Sequence, residues 1–252
     1  MNTMRNGIDL SVIIPAYNES KRIGATLDSI KRYLYFSAPA GLRYEIIVVD
    51  DGSRDDTSRV VKEFAESFPG LRLIEHAENR GKGHAVKTGM EKACGAYRLY
   101  MDADNSVKIG AVERFLDAMR GSSCDIVIGS IAHEGSRTIE HNGWHRRLLG
   151  KITKAIVGLV TASGVSDTQR GFKLFSARAA DEIFALQKIE RFGFDIELLV
   201  IAQKHGYAVK EMPVVWDNPA GSKVGLRSYI DSSVELMFIY WNTVTGKYNR
   251  TV

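Results

Sequence analysis

The feature that most constrains the fold is a regular alternation of short apolar runs with segments that carry apolar residues at helical spacing. The apolar runs predict strands at residues 10–14, 44–50, 71–75, 97–101 and 125–129. The segments between them predict helices over residues 19–36, 56–68, 82–94 and 110–119. Strands that alternate with helices favour an α/β fold with a mostly parallel sheet and right-handed crossovers. After about residue 130 the alternation fades and the chain becomes more helical and irregular.

A polar cluster follows each of the first four predicted strands. The clusters are PAYNES, DDGSRDDT, ENRGKG and DADNS. In an open parallel sheet the carboxyl ends of the strands meet at one edge, and ligands bind beyond that edge. The sequence therefore predicts one binding site that four loops assemble.

The DADNS cluster places two carboxylates, Asp102 and Asp104, one residue apart. Alternate residues of an extended segment point to the same side, so two hard oxygen ligands converge on one point. Such a pair suits Mg²⁺ or Mn²⁺ that is shared with substrate phosphates. Two exposed loop carboxylates would give the same pattern, but the combination with three further loops favours a nucleotide-diphosphate site.

Two other clusters are compatible with a nucleotide. Asp50 and Asp51 end a predicted strand, and Gly52 permits a tight turn after them. A carboxylate there could accept from a base imide N–H or a ribose hydroxyl, or could only cap the next turn. The NRGKG loop at residues 79–83 enters a helix, and both its backbone N–H groups and Lys82 favour anions. It predicts a diphosphate neighbour, with an ordinary turn as the alternative.

Composition and missing motifs exclude several classes. Lys and Arg number 34 against 30 Asp and Glu, and the formal net charge of +4 is too small to imply nucleic-acid binding. Cys94 and Cys124 form no CxxC motif and have no His cluster nearby, so they predict reduced packing thiols and no zinc site or disulfide. A Rossmann oxidoreductase is disfavoured because no GxGxxG follows the first strand.

The distribution of apolar residues predicts a cytoplasmic protein that can touch a membrane. MNTMRNGIDLSVIIP offers no run of signal-peptide length, and no stretch reaches about 18 uninterrupted apolar residues. Residues 144–162 form a basic amphipathic segment with Trp144 at its edge, which is typical of an interfacial helix. Residues 229–245 are rich in Met, Phe, Tyr and Trp. Either segment could instead face a protein core.

Taken together, four motifs resemble those of the inverting family 2 glycosyltransferases, which have the GT-A fold. The motifs are VIIPAYNE (12–19), VVDDGSRDDT (48–57), NRGKGHAVKTG (79–89) and DADNS (102–106). Three later stretches narrow the resemblance to polyprenyl-phosphate hexosyltransferases, more to the dolichyl-phosphate β-glucosyltransferase type than to the mannose synthases. These stretches are SDTQRGFKLF (166–175), ERFGFDIELLVIAQKHGYAVKEMPVVW (190–216) and GSKVG (221–225).

The resemblance implies one GT-A domain over residues 8–248. Its Rossmann-like, mostly parallel sheet would be flanked by helices. Residues 8–130 would form the nucleotide-binding half. Residues 131–248 would form the acceptor-binding half, with amphipathic membrane-interface helices at 144–162 and 229–245.

The resemblance also implies a role for each matching residue. The nucleotide would be bound by Pro15, Tyr17, Glu19, Val49, Asp51, Lys82, Asp102 and Ala103. The divalent metal would be held by Asp102 and Asp104. Catalysis would involve Asp167 and Gln169, where acceptor and sugar meet, together with Asp104; a turn carboxylate is the alternative for Asp167. The phosphates would be neutralised by Arg137, Arg147 or Lys223. Asp195 and Glu197 match an FDxE motif of the family and would help to order the site.

The activity implied is metal-dependent, inverting transfer of a hexose to a polyprenyl or dolichyl phosphate, with Mg²⁺ or Mn²⁺ as cofactor. UDP-glucose is the preferred donor, since Ser106 stands where the mannose synthases carry Gln. The alternatives are GDP-mannose as donor, a soluble sugar hydroxyl as acceptor, and a nucleotide-sugar-binding module without catalysis. Peripheral attachment to the cytosolic face of a membrane is implied, with a membrane-protein partner or a second copy of the chain as possible partners.

Overall fold

The computed structural model describes residues 7–131, 137–139, 170–217 and 226–249, and for residues 137–139 and 226–233 the backbone alone. The strands are β1 (Leu10–Ala16), β2 (Tyr44–Asp50), β3 (Leu71–Glu75), β4 (Tyr97–Met101), β5 (Ile126–Ser130), β6 (Arg137–Ile139), β7 (Phe172–Ser176), β8 (Val209–Pro213) and β9 (Val215–Asp217). The helices are α1 (Ile23–Phe36), α2 (Thr57–Glu66), α3 (Lys82–Lys92), α4 (Val112–Gly121), α5 (Ala177–Leu186), α6 (Phe194–Lys204) and α7 (Leu226–Val244).

The strands and helices predicted for the first half of the chain are confirmed, with one displaced helix start. Helix α1 begins at Ile23, four residues later than the apolar spacing suggests. The residues before it form a loop that is tied to the start of α2, because the backbone N–H of Glu19 donates to Thr57 Oγ1 at 2.8 Å. Asn18 lies in this loop with a left-handed φ of 53°. These contacts hold the chain in a turn where its periodicity alone favours a helix.

Seven strands form one mixed sheet in the order β3-β2-β1-β4-β7-β5-β8. β1 pairs in parallel with β2 and β4, β2 with β3, and β5 with β8. β7 runs antiparallel to both of its neighbours, β4 and β5. β6 and β9 form a separate parallel pair. The predicted mostly parallel sheet flanked by helices is confirmed.

The sheet is covered on both faces, which explains why its central strands are almost continuously apolar. Alternate residues of β1 enter different cores. Ile13 packs with residues of α3, α5, α6 and α7. Val12 and Ile14 pack with residues of α1, α2 and α4 on the other face. Each fully buried aliphatic side chain stabilises the fold by about 1.5–3 kcal/mol.

The parallel strands bring the site residues to one edge of the sheet. β1, β2, β3 and β4 end at Ala16, Asp50, Glu75 and Met101, and their ends point the same way. We call this edge, with the loops 17–22, 51–56, 76–81 and 102–108 that leave it, the carboxyl rim. Because β7 runs in the opposite direction, it begins at the carboxyl rim, where Phe172 is paired with Met101.

We expect Gly89→Ala to destabilise the fold, because α3 lies directly on β1 at this glycine. A Cβ atom at Gly89 would lie 2.4 Å from Ile13 Cγ2 in the core. Overpacking of this kind lowers the free energy of unfolding by about 1–3 kcal/mol. Urea unfolding measures the change. Gly121→Ala is the matched control, since a Cβ there meets no heavy atom within 4 Å. Equal effects of the two substitutions would contradict the packing described here.

Candidate active site

Asp102 follows β4 at the carboxyl rim, and its carboxylate occupies space that Gly171 leaves open. The backbone N–H of Asp102 donates to the carbonyl of Gly171 at 3.0 Å. A Cβ atom at position 171 would come within 2.2 Å of the Asp102 carboxylate. Because Gly171 has no side chain, the Asp102 carboxylate can lie beside it at the carboxyl rim.

Asp104 is oriented by Ser106. The backbone N–H and the hydroxyl of Ser106 donate to Asp104 Oδ1 at 3.0 and 2.5 Å. The residue between them, Asn105, adopts a left-handed φ of 57°, which turns the chain back on itself. Ser106 thus fixes the second carboxylate of the DADNS loop.

The two carboxylates fit a divalent cation. Mg²⁺ is commonly bound through one or two carboxylates together with waters and substrate phosphates. Both Asp102 and Asp104 are partly exposed on the same rim loop. In the described part of the chain, no group of three or more Asp, Glu, His or Cys residues forms a closed metal cage. An open pair of hard oxygen donors suits a metal that shares its coordination with a phosphate-containing ligand.

Lys82, the first residue of α3, places a positive charge against this pair. Its Nζ lies 2.7 Å from Asp102 Oδ1 and 5.9 Å from the centre of the Phe194 ring. Burial would lower the pKa of Lys82, but the charges of Asp102 and Asp195 outweigh burial and raise the pKa above its ordinary value. Lys82 is therefore charged at neutral pH.

The buried carboxylate of Asp51 organises the NRGKG loop. It accepts hydrogen bonds from the backbone N–H groups of Arg80 and Gly81 at 3.2 and 2.7 Å. It also accepts from Asn79 Nδ2 at 2.9 Å and lies 2.9 Å from His76 Nδ1. The sequence analysis considered Asp51 and this loop as separate parts of a nucleotide site and did not predict that Asp51 binds the loop. Its contact with a nucleotide stays a prediction.

The N-terminal amides of α3 are bound by a segment of the second half of the chain. Gly83 N–H donates to the carbonyl of Arg191 at 3.2 Å, and His84 N–H donates to the carbonyl of Glu190 at 2.9 Å. These two amides, and the two that Asp51 holds, therefore already have acceptors within the protein. The anion-binding role of the loop stays a prediction. The basic side chain of Lys82 is the part of the predicted anion site that lies against Asp102.

Glu197 holds the segment that binds the start of α3. Its buried carboxylate accepts from the backbone N–H groups of Lys188 and Ile189, each at 2.9 Å, and from the Tyr248 hydroxyl at 2.6 Å. Burial raises the pKa of Glu197 above its ordinary value, while these hydrogen bonds act in the opposite direction. The second carboxylate of the FDxE match thus orders the site indirectly, through residues 188–191.

A second buried cluster joins β4, β7 and α6 through Asp195. Asp195 Oδ1 accepts from Lys173 Nζ at 2.5 Å and from the Tyr100 hydroxyl. Burial, reinforced by the charge of Asp195, raises the pKa of Tyr100 well above its ordinary value, so its hydroxyl stays a donor. Sequence reasoning missed Lys173 and Tyr100. The signal was a polar group inside each of two short apolar strands, FKLFS and YRLYM.

The remaining residues predicted to bind the nucleotide lie at or just below the carboxyl rim. Pro15 and Val49 are partners across β1 and β2, and the Val49 side chain is part of the core under α3. Tyr17 is 38% exposed beyond the end of β1. The Glu19 carboxylate binds the guanidinium of the arginine three residues later at 2.6 Å. Ala103 is buried between the two aspartates. Their roles stay predictions.

Several predicted residues lie outside the described part of the chain. These are Asp167, Gln169, Arg147 and Lys223, together with the segment 144–162. Arg137 belongs to β6, for which the backbone alone is described. The described chain resumes at Arg170 and Gly171, beside Asp102 at the carboxyl rim.

A family model described as "Glycosyl transferase family 2" matches residues 11–184. This range runs from β1 into α5 and contains all four loops of the carboxyl rim. The match therefore includes the residues that build the candidate site.

Similar proteins from several eukaryotes are named dolichyl-phosphate beta-glucosyltransferases. One from Trichomonas vaginalis is 38% identical over 234 residues, which are 90% of this chain and 69% of the relative. The human protein is 35% identical over 247 residues, which are 94% of this chain and 76% of the relative. A relative from Saccharomyces cerevisiae is 35% identical over 87% of this chain and 70% of its own length.

Crystal structures of glucosyl-3-phosphoglycerate synthase from Mycobacterium tuberculosis share the GT-A fold. The complex with UDP gives a TM-score of 0.68 at 20% identity, over 94% of this chain and 81% of that one. The complex with Mn²⁺, UDP-glucose and phosphoglyceric acid gives 0.70 at 18% identity, over 99% and 83%. At these identities the likeness concerns the fold alone. The family match and the relatives establish that the chain belongs to glycosyl transferase family 2 and is a glycosyltransferase.

Proposed function

We propose that this enzyme transfers glucose from UDP-glucose to the phosphate of a polyprenyl lipid of the dolichyl type, with inversion and with Mg²⁺ or Mn²⁺ bound. The names of the relatives support a dolichyl-phosphate acceptor and glucose as the sugar, since these relatives are alignable over most of both chains. Structures of the same fold are complexes with UDP and Mn²⁺ or Mg²⁺, which supports this nucleotide and these metals.

The observation that carries the proposal is the arrangement of Asp102, Asp104 and Lys82 at the carboxyl rim. Two carboxylates are held in place, one by the space at Gly171 and the other by Ser106. A cation lies 2.7 Å from one of them. Anionic and cationic groups side by side match a metal-bound diphosphate, which needs both a metal clamp and a counter-charge.

The acceptor phosphate would be the nucleophile. A phosphate monoester is already anionic at neutral pH, so unlike a sugar hydroxyl it needs no strong general base. In-line attack on the anomeric carbon from the face opposite the diphosphate converts an α-linked donor into a β-linked lipid phosphate. The protein mainly has to orient the two substrates and to balance the charge of the leaving group.

The leaving group is a nucleoside diphosphate. A divalent cation held by Asp102 and Asp104 would supply Lewis-acid stabilisation of its developing charge. Lys82 would place its ammonium on the same diphosphate. The partial burial of Lys82 strengthens this effect, because a charge acts more strongly where there is less water.

The acceptor side of the site is proposed to come from residues 131–248. Asp167 and Gln169 precede the point where the chain reaches the carboxyl rim beside Asp102, which supports placing them near the transferred sugar. Arg137, Arg147 and Lys223 are proposed as partners of the phosphates. We likewise propose that residues 8–130 bind the donor.

A membrane contact would bring the enzyme to its lipid acceptor, and α7 carries a surface suited to it. Its exposed apolar stripe consists of Val234, Met237, Phe238, Trp241 and Val244, each at least 47% exposed. Residues 236 and 239, on the opposite side of the helix, are buried in the core. Exposed Trp and Phe at helical spacing are typical of interfacial helices. None of the described helices is long and apolar enough to cross a membrane.

The activity is tested by incubating the protein and Mn²⁺ with dolichyl phosphate and labelled UDP-glucose, UDP-galactose, GDP-mannose or GDP-glucose. We expect label in the organic phase with UDP-glucose, because the relatives transfer glucose to dolichyl phosphate by name. Label that transfers only from GDP-mannose would contradict the donor. Transfer confined to aqueous products would contradict the lipid acceptor.

We expect Asp104→Ala to reduce kcat by about a hundredfold to a thousandfold, because a lost metal ligand removes several kcal/mol of transition-state stabilisation. Steady-state kinetics measure the change, and circular dichroism checks that the variant folds. Asp117→Ala, on the exposed surface of α4, is the matched control and should keep its activity. Unchanged turnover of Asp104→Ala would refute the metal role.

We expect the triple substitution Met237→Ser, Phe238→Ser and Trp241→Ser to weaken sedimentation with phosphatidylcholine vesicles by at least about tenfold, because each large apolar side chain contributes about 1 kcal/mol or more when it leaves water. Tyr35→Ser with Phe36→Ser removes exposed aromatics from α1 and is the control. Equal binding by both variants would rule out the stripe as the contact. If the wild-type chain forms dimers and the triple variant does not, the stripe instead contacts a second copy of the chain.

A further inference from the structure

Lys82 forms an ion pair with Asp102, one of the two carboxylates that bind the metal in the proposed function. Its Nζ lies 2.7 Å from Asp102 Oδ1, and the pair is only partly exposed to water. A divalent cation on the same carboxylate would be repelled by the ammonium, since both are positive and little solvent separates them. In the free protein the metal and Lys82 therefore compete for Asp102.

The backbone around Lys82 cannot move aside to relieve this competition. Gly81 has a φ of 119°, and a Cβ there would lie 2.6 Å from the carbonyl of Glu190. A Cβ at Gly83 would lie 2.8 Å from both the carbonyl of Ile189 and Cβ of Phe194. Both glycines are packed directly against the 189–194 segment. The residue can thus respond only through its flexible side chain, whose four-carbon stem carries a mobile point charge.

An incoming diphosphate offers that side chain a second partner. The amides of Gly81, Gly83 and His84 are already hydrogen-bonded within the protein, so they do not compensate the charge of an anion. The ammonium of Lys82, which is charged and lies on a flexible side chain, can do so. Movement from Asp102 to a phosphate oxygen keeps Lys82 paired and leaves Asp102 to the metal.

We propose that Lys82 is an exchangeable counter-ion of Asp102, which couples binding of the metal to binding of the nucleotide diphosphate. In the free enzyme Lys82 neutralises Asp102 and weakens metal binding. When the diphosphate binds, Lys82 transfers to it and the metal gains the carboxylate. Each ligand therefore strengthens binding of the other, as a shared coupling free energy requires. This inference rests on the proposed function in that it assumes a metal-bound nucleoside diphosphate.

The test measures Mn²⁺ binding to the full chain for the wild type, Lys82→Met and Lys87→Met. Electron paramagnetic resonance of the free Mn²⁺ gives the amount bound. Methionine keeps the apolar stem of the lysine and removes its charge. Lys87 lies on the same helix, with Nζ 3.0 Å from the carbonyl of Gln187, and is the matched control. Titrations are made without nucleotide, with UDP and with GDP, and thermal unfolding checks that each variant is folded.

We expect Lys82→Met to bind Mn²⁺ without nucleotide about fivefold more tightly than the wild type, because its competitor is gone. We expect UDP to tighten Mn²⁺ binding by at least about tenfold in the wild type and in Lys87→Met, and clearly less in Lys82→Met. The sign of the first effect is diagnostic, since a lysine that only binds phosphate would leave Mn²⁺ binding without nucleotide unchanged, and a merely structural one would weaken it.

Equal or weaker Mn²⁺ binding by folded Lys82→Met, measured without nucleotide, would overturn the exchange. This result does not depend on which sugar or lipid the enzyme uses. Coupling to GDP in place of UDP would overturn the proposed donor while leaving the role of Lys82 intact. Absence of Mn²⁺ binding in every variant and with either nucleotide would overturn both.

Discussion

The antiparallel pairing of β7 with β4 is the constraint on which the candidate site depends. Four parallel strands bring the loops of the first half to one edge at their carboxyl ends, whereas β7 lies at that edge with its amino end. Because β7 starts where β4 stops, the chain from the second half arrives next to Asp102 and supplies Gly171, which makes room for its carboxylate. The one reversed neighbour of β4 thus joins the loops of the carboxyl rim to the part of the chain proposed to bind the acceptor.

Buried carboxylates hold the loops around this edge. Asp51 fixes the glycine-rich loop from within, and Glu197 fixes the segment that packs against it. A carboxylate can accept several hydrogen bonds at once. Asp51 and Glu197 therefore supply acceptors for backbone N–H groups that have no partner within their own short loops. The arrangement uses up backbone amides that could otherwise bind phosphate. In the proposed function, recognition of the anion therefore relies on the flexible side chain of Lys82.

The strands and helices of the first half of the chain, and the edge of the sheet where its polar loops lie, could be predicted from the sequence because burial imposes a period on each element and parallel strands end together. Of the strands and helices after residue 170, only α7 was predicted, as a helix over residues 229–245. The partners of individual polar groups could not. Nothing near His84 in the sequence indicates that its amide will meet the carbonyl of Glu190. Lys173 and Tyr100 are polar residues within otherwise mostly apolar strands, and only the fold brings Asp195 between them. Sequence patterns specify which face a residue takes, whereas hydrogen-bond partners depend on tertiary contacts.

The hydrogen bond from Tyr248 to Glu197 has a consequence for how the protein matures. During synthesis on the ribosome, all four rim loops emerge long before Tyr248 does. Until it arrives, the Glu197 carboxylate lacks one of its three donors, and the segment packed against the start of α3 is less firmly anchored. A nascent chain that ends before Tyr248 therefore carries all four rim loops and still lacks this anchor. Tyr248, which follows α7, thus completes a hydrogen-bond network whose other members were synthesised before it.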